Sequence, residues 1–135
     1  RGGQEVFLAY LTGRSYVGMR AADVAAWTRF LANYQAAGDR PNELQLIAVG
    51  EAAIPALHAA ALDPGPFASV RLRNTIPSWA VVVRSPDNYN QLANVVHGAL
   101  RHYDLPELVE LAGAGKVQIE EPFDALGNPL PGEAP

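Results

Sequence analysis

The chain has 135 residues, of which 49% are hydrophobic and 18% charged, and its formal net charge is -4. This composition is typical of one globular domain, long enough to bury roughly two-thirds of the surface that the unfolded chain exposes. The acidic balance gives no basic footprint for nucleic acid, and the absence of cysteine excludes disulfides, thiol catalysis and zinc–thiolate sites. We predict neither a metal nor a cofactor.

Membrane and targeting signals are also not predicted. No apolar run approaches the roughly 20 residues of a spanning helix, and the start has no signal-peptide pattern. The opening Arg1-Gly2-Gly3 suggests a cut in the middle of a longer chain. We therefore make no prediction of the cellular compartment.

The first third of the chain predicts a strand, a helix and a second strand. Glu5–Tyr10 has the residue types of a strand, and Leu44–Val49 is almost continuously apolar, as in a strand covered on both faces. Between them, Asp23–Gln35 predicts a helix with Asp23 as its N-cap and Gly38 closing it. Its apolar residues recur at helical spacing and predict one buried stripe. They are Val24, Trp27, Phe30, Leu31 and Tyr34.

The middle of the chain predicts a helix over Ala52–Leu62, with Pro55 tolerated in its first turn. A short strand follows over Ser69–Arg73. Trp79–Val83 has strand propensity, yet Ser78 is suited to cap a helix there, and we favour the helix.

The last third predicts a helix over Gln91–Arg101, then one over Asp104–Leu111 that opens on a capping signature and is closed by Gly113. Lys116–Glu120 is the last predicted strand. The fold class is therefore α/β, with about four mainly parallel strands and flanking helices. Residues 1–126 form a single domain, and the proline- and glycine-rich residues 127–135 form an irregular tail.

The segment Leu46–Ala61 predicts a buried strand that turns sharply at Gly50 into an alanine-rich helix. It resembles the nucleophile elbow of α/β-hydrolases, where small residues let the backbone bend tightly. From Asp23 to Asp124 the chain resembles the second half of an α/β-hydrolase, and more narrowly the C-terminal segment of bacterial acetyl xylan esterase or dienelactone-hydrolase-like proteins. The narrower resemblance is carried by Gly13–Arg20, Gln91–Val96 and Tyr103–Pro106.

The resemblance implies a degenerate active site. Gly50 takes the leading glycine position, Ala52 stands where the nucleophilic serine belongs, and Asp124 follows the last strand, where the triad acid usually lies. The triad histidine would come after a further helix and strand, beyond Pro135. Since a methyl group cannot attack a carbonyl, no catalytic residue is predicted.

The implied function is a non-catalytic, degenerate α/β-hydrolase-like domain of a larger acetyl xylan esterase-like protein, with a structural or cleft-forming role. Its expected partner is a catalytic domain of the same full-length protein. Self-association through an exposed sheet edge is a second expectation, and the resemblance is compatible with a soluble protein outside the cytoplasm.

Two other functions stay open. In the first, the chain is a weak carboxylester hydrolase with Ser15 as nucleophile and His58 or His102 as base, although Ser15 also suits a loop serine bonded to its own backbone. In the second, it is a small-molecule or carbohydrate-binding module with its ligand beside Gly50 and Asp124.

The remaining polar residues have structural interpretations that we favour. His58 is expected to be a core or rim histidine with a satisfied ring. His97 and His102 are five positions apart, which does not place both on one helical face, so a metal pair is not predicted. The aromatic residues Trp27, Phe30, Tyr34 and Trp79 are expected in the core.

Charged residues form two further groups. Arg14 and Arg20 flank a glycine-containing loop that suits an anion, although solvated or domain-facing arginines are the favoured interpretation. Glu51 is expected to pair with Arg73 or Arg14. The acidic cluster after the last strand is expected to be a solvated strand end; it consists of Glu120, Glu121 and Asp124.

Overall fold

A computed structural model describes residues 3–36 and 38–131, which contain five α-helices and one three-stranded sheet. Arg1, Gly2 and residues 132–135 of the predicted tail lie outside the described residues. The elements in chain order are α1 (Gly3–Leu11), α2 (Tyr16–Asn33), β1 (Leu44–Val49), α3 (Ala53–Leu62), β2 (Phe67–Arg73), α4 (Trp79–Arg84), α5 (Leu105–Ala112) and β3 (Val117–Glu120).

The sheet is parallel throughout and its strand order, β1-β2-β3, follows the chain. Leu46 lies opposite Val70, and Val70 lies opposite Val117 on its other side. The α/β class and the parallel sheet are confirmed. The expected count of about four strands is wrong, because the first predicted strand is helical.

The segment Glu5–Tyr10, predicted as a strand, belongs to helix α1. The deciding signal lies just beyond it. Gly13 adopts a positive φ of 72°, its amide bonds to Tyr10 O at 3.0 Å, and the Arg14 amide bonds to Ala9 O at 2.9 Å. These two bonds form a Schellman motif, which ends helices and not strands. Gly13 is therefore the residue that ends helix α1.

Helix α2 begins seven residues before the predicted N-cap Asp23. The Ser15 hydroxyl accepts a 3.1 Å hydrogen bond from the Gly18 amide and so caps the helix. The helix ends at Asn33, before the predicted Gly38 stop. There Asn42 folds back, and its side chain donates to Leu31 O at 3.0 Å and to Tyr34 O at 2.8 Å, which supplies donors to the carbonyls at the helix end.

The predicted buried stripe of α2 is wrong. The helix buries small residues, and its large apolar side chains point outward; Trp27 is 64% exposed. Helix α2 packs on α3, which is rich in alanine, and small side chains let two helices approach closely. The buried residues of α2 are Val17, Ala21, Thr28 and Ala32. The exposed ones include Trp27, Phe30 and Leu31, together with the C-cap Tyr34, and all four were predicted to be buried.

The elements around the predicted elbow are confirmed. Strand β1 spans the predicted residues, and α3 begins at Ala53 after one 3-10 turn over Gly50–Ala52. Strand β2 starts two residues before the predicted Ser69. Helix α4 forms where strand and helix were in competition, with Ser78 as its N-cap.

The predicted helix over Gln91–Arg101 is wrong. Two short 3-10 turns, Leu92–Asn94 and Ala99–Arg101, stand in its place, with Val95 extended between them. The Asn94 carbonyl, which a helix would pair with a later amide, accepts the indole N–H of the buried Trp79 at 2.8 Å. A tertiary hydrogen bond thus replaces a helical one.

All the crossovers place their helices on one face of the sheet. Right-handed connections between strands that follow chain order keep α3, α4 and α5 on the same side, and α2 packs on α3. The covered face contributes Ala48, Val70 and Leu72 to the core. The opposite face is open, and Ile47 and Val49 are 58% and 52% exposed there. The prediction that Leu44–Val49 is covered on both faces is therefore wrong, because the described helices pack on one face only.

Candidate functional site at the carboxyl edge of the sheet

The turn after β1 is the centre of the candidate site. Val49 is extended, Gly50 has a φ of 61°, and the 3-10 turn ends at Ala52, directly before α3. A Cβ at Gly50 would have no atom within 4 Å, so glycine is required here by the backbone conformation and not by space. The half-buried Ala52 packs against the core and presents only a methyl group.

Glu51, in the same turn, pairs with neither arginine that we expected. Its carboxylate lies 4.0 Å from Arg20 Nη1, and the same nitrogen donates to the Glu51 carbonyl at 3.1 Å. Arg20 also lies over the Tyr16 ring, 5.5 Å from its centroid. The amino-terminal part of α2 is therefore bound to the carboxyl end of β1.

Arg73, the last residue of β2, forms ion pairs with acidic residues at the end of β3. It lies 2.9 Å from Glu120 and 3.7 Å from Glu121, and Arg71 lies 3.7 Å from Glu120. These pairs are partly exposed, and each contributes little stability in water. Two of the three acidic residues of the predicted cluster are thus neutralised by arginines of β2.

Asp124 is held by its own turn. Its Oδ1 accepts the amides of Leu126 and Asn128, each at 2.9 Å, and its Oδ2 accepts the Asn128 side-chain amide at 3.1 Å. The bonds from Asn128 are the main reason that the pKa of Asp124 lies below its usual value. This loop also pairs Phe123 with Pro129, so residues 127–131 are irregular but bonded to the domain.

His58 lies on the covered side, in contact with Trp79 and Tyr103. Its Nδ1 is 2.8 Å from Ile54 O, which can only accept, so Nδ1 carries the proton. Its Nε2, 3.0 Å from the Tyr103 hydroxyl, then accepts. Burial lowers the pKa of His58 below 6.5, against the opposing bond to Ile54 O, and burial raises the pKa of Tyr103. Both ring nitrogens are occupied, as expected of a satisfied core histidine.

Ser15 lies apart from both histidines that we considered as its base. Among residues 3–36 and 38–131 it has no hydrogen bond to His58 or His102; its only side-chain bond is the cap to Gly18. It lines an open cavity together with Arg14 and His97. His97 was considered only as half of a metal pair, and no local pattern relates it to Ser15, because 82 positions separate them.

Two further results concern the described part of the chain. It contains no group of three His, Asp or Glu side chains placed to hold a metal ion. None of its helices combines the length and hydrophobicity needed to cross a bilayer.

No protein-family model matches this chain, and comparison with curated proteins and with solved structures finds no match either. Its function is therefore inferred from its own residues and their geometry.

Proposed function

We propose that this chain is a non-catalytic α/β-hydrolase-like domain that supports, or helps to form the cleft of, a catalytic domain in a larger esterase-like protein. The sequence resemblance described above motivates the hydrolase-like assignment. The geometry contributes two separate supports: an open sheet face, and a turn after β1 that carries no reactive group.

The open face is the observation that carries the docking role. Parallel sheets are normally covered on both faces, because the helices that connect their strands pack on those faces. Here Ile47 and Val49 are more than half exposed on the bare face. Strand β1 pairs with β2 on one side and has no strand on its other side among the described residues. An uncovered apolar strand edge favours association with another protein surface.

The side chains at the edge support the non-catalytic half of the proposal. Ala52 has no nucleophilic atom, and the carboxylate of Asp124 accepts three hydrogen bonds from amides of its own turn. His58 has no free ring nitrogen. By the resemblance, Ala52 and Asp124 take the places of the nucleophile and the acid, and His58 is a base only in the Ser15 alternative.

A labelling experiment tests the non-catalytic half of the proposal. The chain is incubated with a fluorophosphonate probe and, separately, with an acetyl ester, and an active serine esterase of known content is the positive control. We expect no stoichiometric adduct. Ala52→Ser should remain unlabelled as well, because both ring nitrogens of His58 are engaged in hydrogen bonds and cannot activate the new hydroxyl. An adduct on Ser15 in the unmodified chain would establish the hydrolase alternative.

A cross-linking experiment tests the docking half. A photo-reactive amino acid replaces Ile47 in the intact gene product, and mass spectrometry identifies what it captures; Leu62, 81% exposed on α3, is the control site. We expect cross-links from position 47 to a segment outside these 135 residues and few from position 62. Capture of a second copy through β1 would favour self-association. Equal, weak capture at both sites would refute docking on this face.

A further inference from the structure

A cavity of about 470 Å³ lies between the turn joining α1 to α2 and residues 95–97, which connect the 3-10 turns Leu92–Asn94 and Ala99–Arg101. Its volume falls within the range of small-molecule sites in proteins. Arg14, Ser15 and His97 line it with charged or polar side chains, and the Tyr10 and Tyr16 side chains in the lining also carry hydroxyl groups. The rest of the lining is largely apolar and aromatic, and includes Tyr10, Val6 and Val95.

The cavity is lined by α1, the start of α2 and residues 95–97, and its α2 side lies near the carboxyl end of β1. The hydrogen bond from Arg20 to the Glu51 carbonyl joins α2, one turn after its start, to the residue that follows β1. Ser15 and Tyr16, which line the cavity, are therefore beside the carboxyl end of the strands. In open parallel sheets, ligands bind in crevices outside this end.

The polar groups of the cavity retain hydrogen-bonding capacity for a ligand. The Ser15 oxygen accepts from the Gly18 amide, which leaves its hydroxyl proton free to donate. The exposed Arg14 has no ion pair among the described residues. The His97 ring lies 5.6 Å from that of Tyr10, and its nitrogens have no described partner. One cation and two further groups thus face a largely apolar wall.

We propose that this cavity binds a small organic monocarboxylate. The Arg14 guanidinium matches a carboxylate with two parallel hydrogen bonds, and the Ser15 hydroxyl donates a third. His97 contributes a further donor, and Tyr10, Val6 and Val95 contact the apolar body. A single guanidinium in a chain of net charge -4 favours a monoanion over a multiply charged phosphate.

The test is a titration of the full chain followed by amide chemical shifts, with benzoate as the probe. Benzamide, which has the same shape without the charge, and inorganic phosphate are the comparison ligands. We expect benzoate to shift the amides of residues 13–16 and 95–97 saturably. Benzamide and phosphate should each bind at least tenfold more weakly.

Variants assign the binding to the proposed side chains. Arg14→Gln should weaken benzoate at least tenfold, whereas Arg29→Gln, which removes an exposed guanidinium elsewhere on α2, should leave the affinity unchanged. His97→Phe keeps an aromatic ring beside Tyr10 and should weaken binding by a smaller factor. Unchanged melting temperatures of the variants would show that folding is intact.

Three outcomes would overturn the proposal. They are the absence of saturable shifts up to millimolar benzoate, equal affinity for benzamide, and an equal effect of Arg14→Gln and Arg29→Gln. Tight phosphate binding with weak benzoate binding would also refute the carboxylate assignment. None of these results bears on docking at the open sheet face, which is tested separately.

Discussion

The Asp104 carboxylate accepts a 2.7 Å hydrogen bond from the backbone amide of Trp79, 25 residues earlier in the chain. The same oxygen accepts the Leu105 amide at 2.7 Å, and the other oxygen accepts the Ser78 hydroxyl. One side chain therefore caps both α4 and α5. Burial by itself would raise the pKa of Asp104, but these bonds outweigh it, and the pKa lies below its usual value.

Asp104→Ala should lower the free energy of unfolding by about 2–3 kcal/mol, because losing each of two helix caps costs about 1 kcal/mol or more. Urea denaturation with linear extrapolation measures the change. Asp87→Ala removes an exposed carboxylate that makes no described side-chain bond and should stay within about 0.5 kcal/mol of the unmodified chain. Equal effects of the two substitutions would contradict the double cap.

Acidification below neutrality should destabilise the domain through His58. Because burial lowers its folded-state pKa below the unfolded value of 6.5, its full contribution is present above pH 6.5. That contribution is lost as the pH falls from 6.5 toward the folded pKa, with a slope of at most about 1.4 kcal/mol per pH unit for one proton.

Urea denaturation between pH 7.5 and 5.5 tests this window. His58→Gln should abolish most of the slope, whereas His102→Gln, at an exposed position, should retain it. Finding the same slope in His58→Gln as in the unmodified chain would assign the pH dependence to other groups.

Gly50→Ala should cost about 1–2 kcal/mol of stability, because alanine is strained at a φ of 61°. The matched control is Gly115→Ala. Neither site has an atom within 4 Å of an added Cβ, and only Gly50 has a positive φ. Differential scanning calorimetry should show a lower melting temperature for the first variant only. Parity between them would mean that the turn accommodates alanine by relaxing.

Substitution of the two tryptophans should change the free energy of unfolding by different amounts. Trp27→Ser should change stability by less than about 0.5 kcal/mol, since its ring is 64% exposed, whereas Trp79 is 3% exposed. Trp79→Phe removes the donor to Asn94 O and should cost about 2 kcal/mol. Acrylamide should quench the fluorescence of Trp79→Phe, which retains Trp27, more strongly than that of Trp27→Ser. Stronger quenching of Trp27→Ser than of Trp79→Phe would mean that a protein contact covers Trp27 on α2.

The sequence predicts an element correctly where the bonds that form it join residues close together in the chain. The apolar run of β1, the proline in the first turn of α3 and the Asp104–Glu107 capping box all predict what is found, because each concerns bonds within a few residues. Helix α4 was resolved from a strand by Ser78, again a neighbouring cap.

Tertiary contacts explain the errors. The Trp79 indole takes the carbonyl of Asn94 and breaks a helix that periodicity favours. Helix α2 packs on the alanine-rich α3 and buries mainly small residues there. The large hydrophobic residues of α2 therefore predict the wrong face as the buried one. At the candidate site, the bond between Arg20 and Glu51 spans 31 positions, and nothing local distinguishes Arg20 from the other arginines.

The strand order of the sheet has a consequence for how the chain acquires its structure. Since β2 pairs with β1, and β3 with β2, each strand after the first finds a neighbour among residues that precede it. During synthesis, a ribosome would release every pairing partner before the strand that needs it. This domain can therefore assemble progressively from its amino-terminal side.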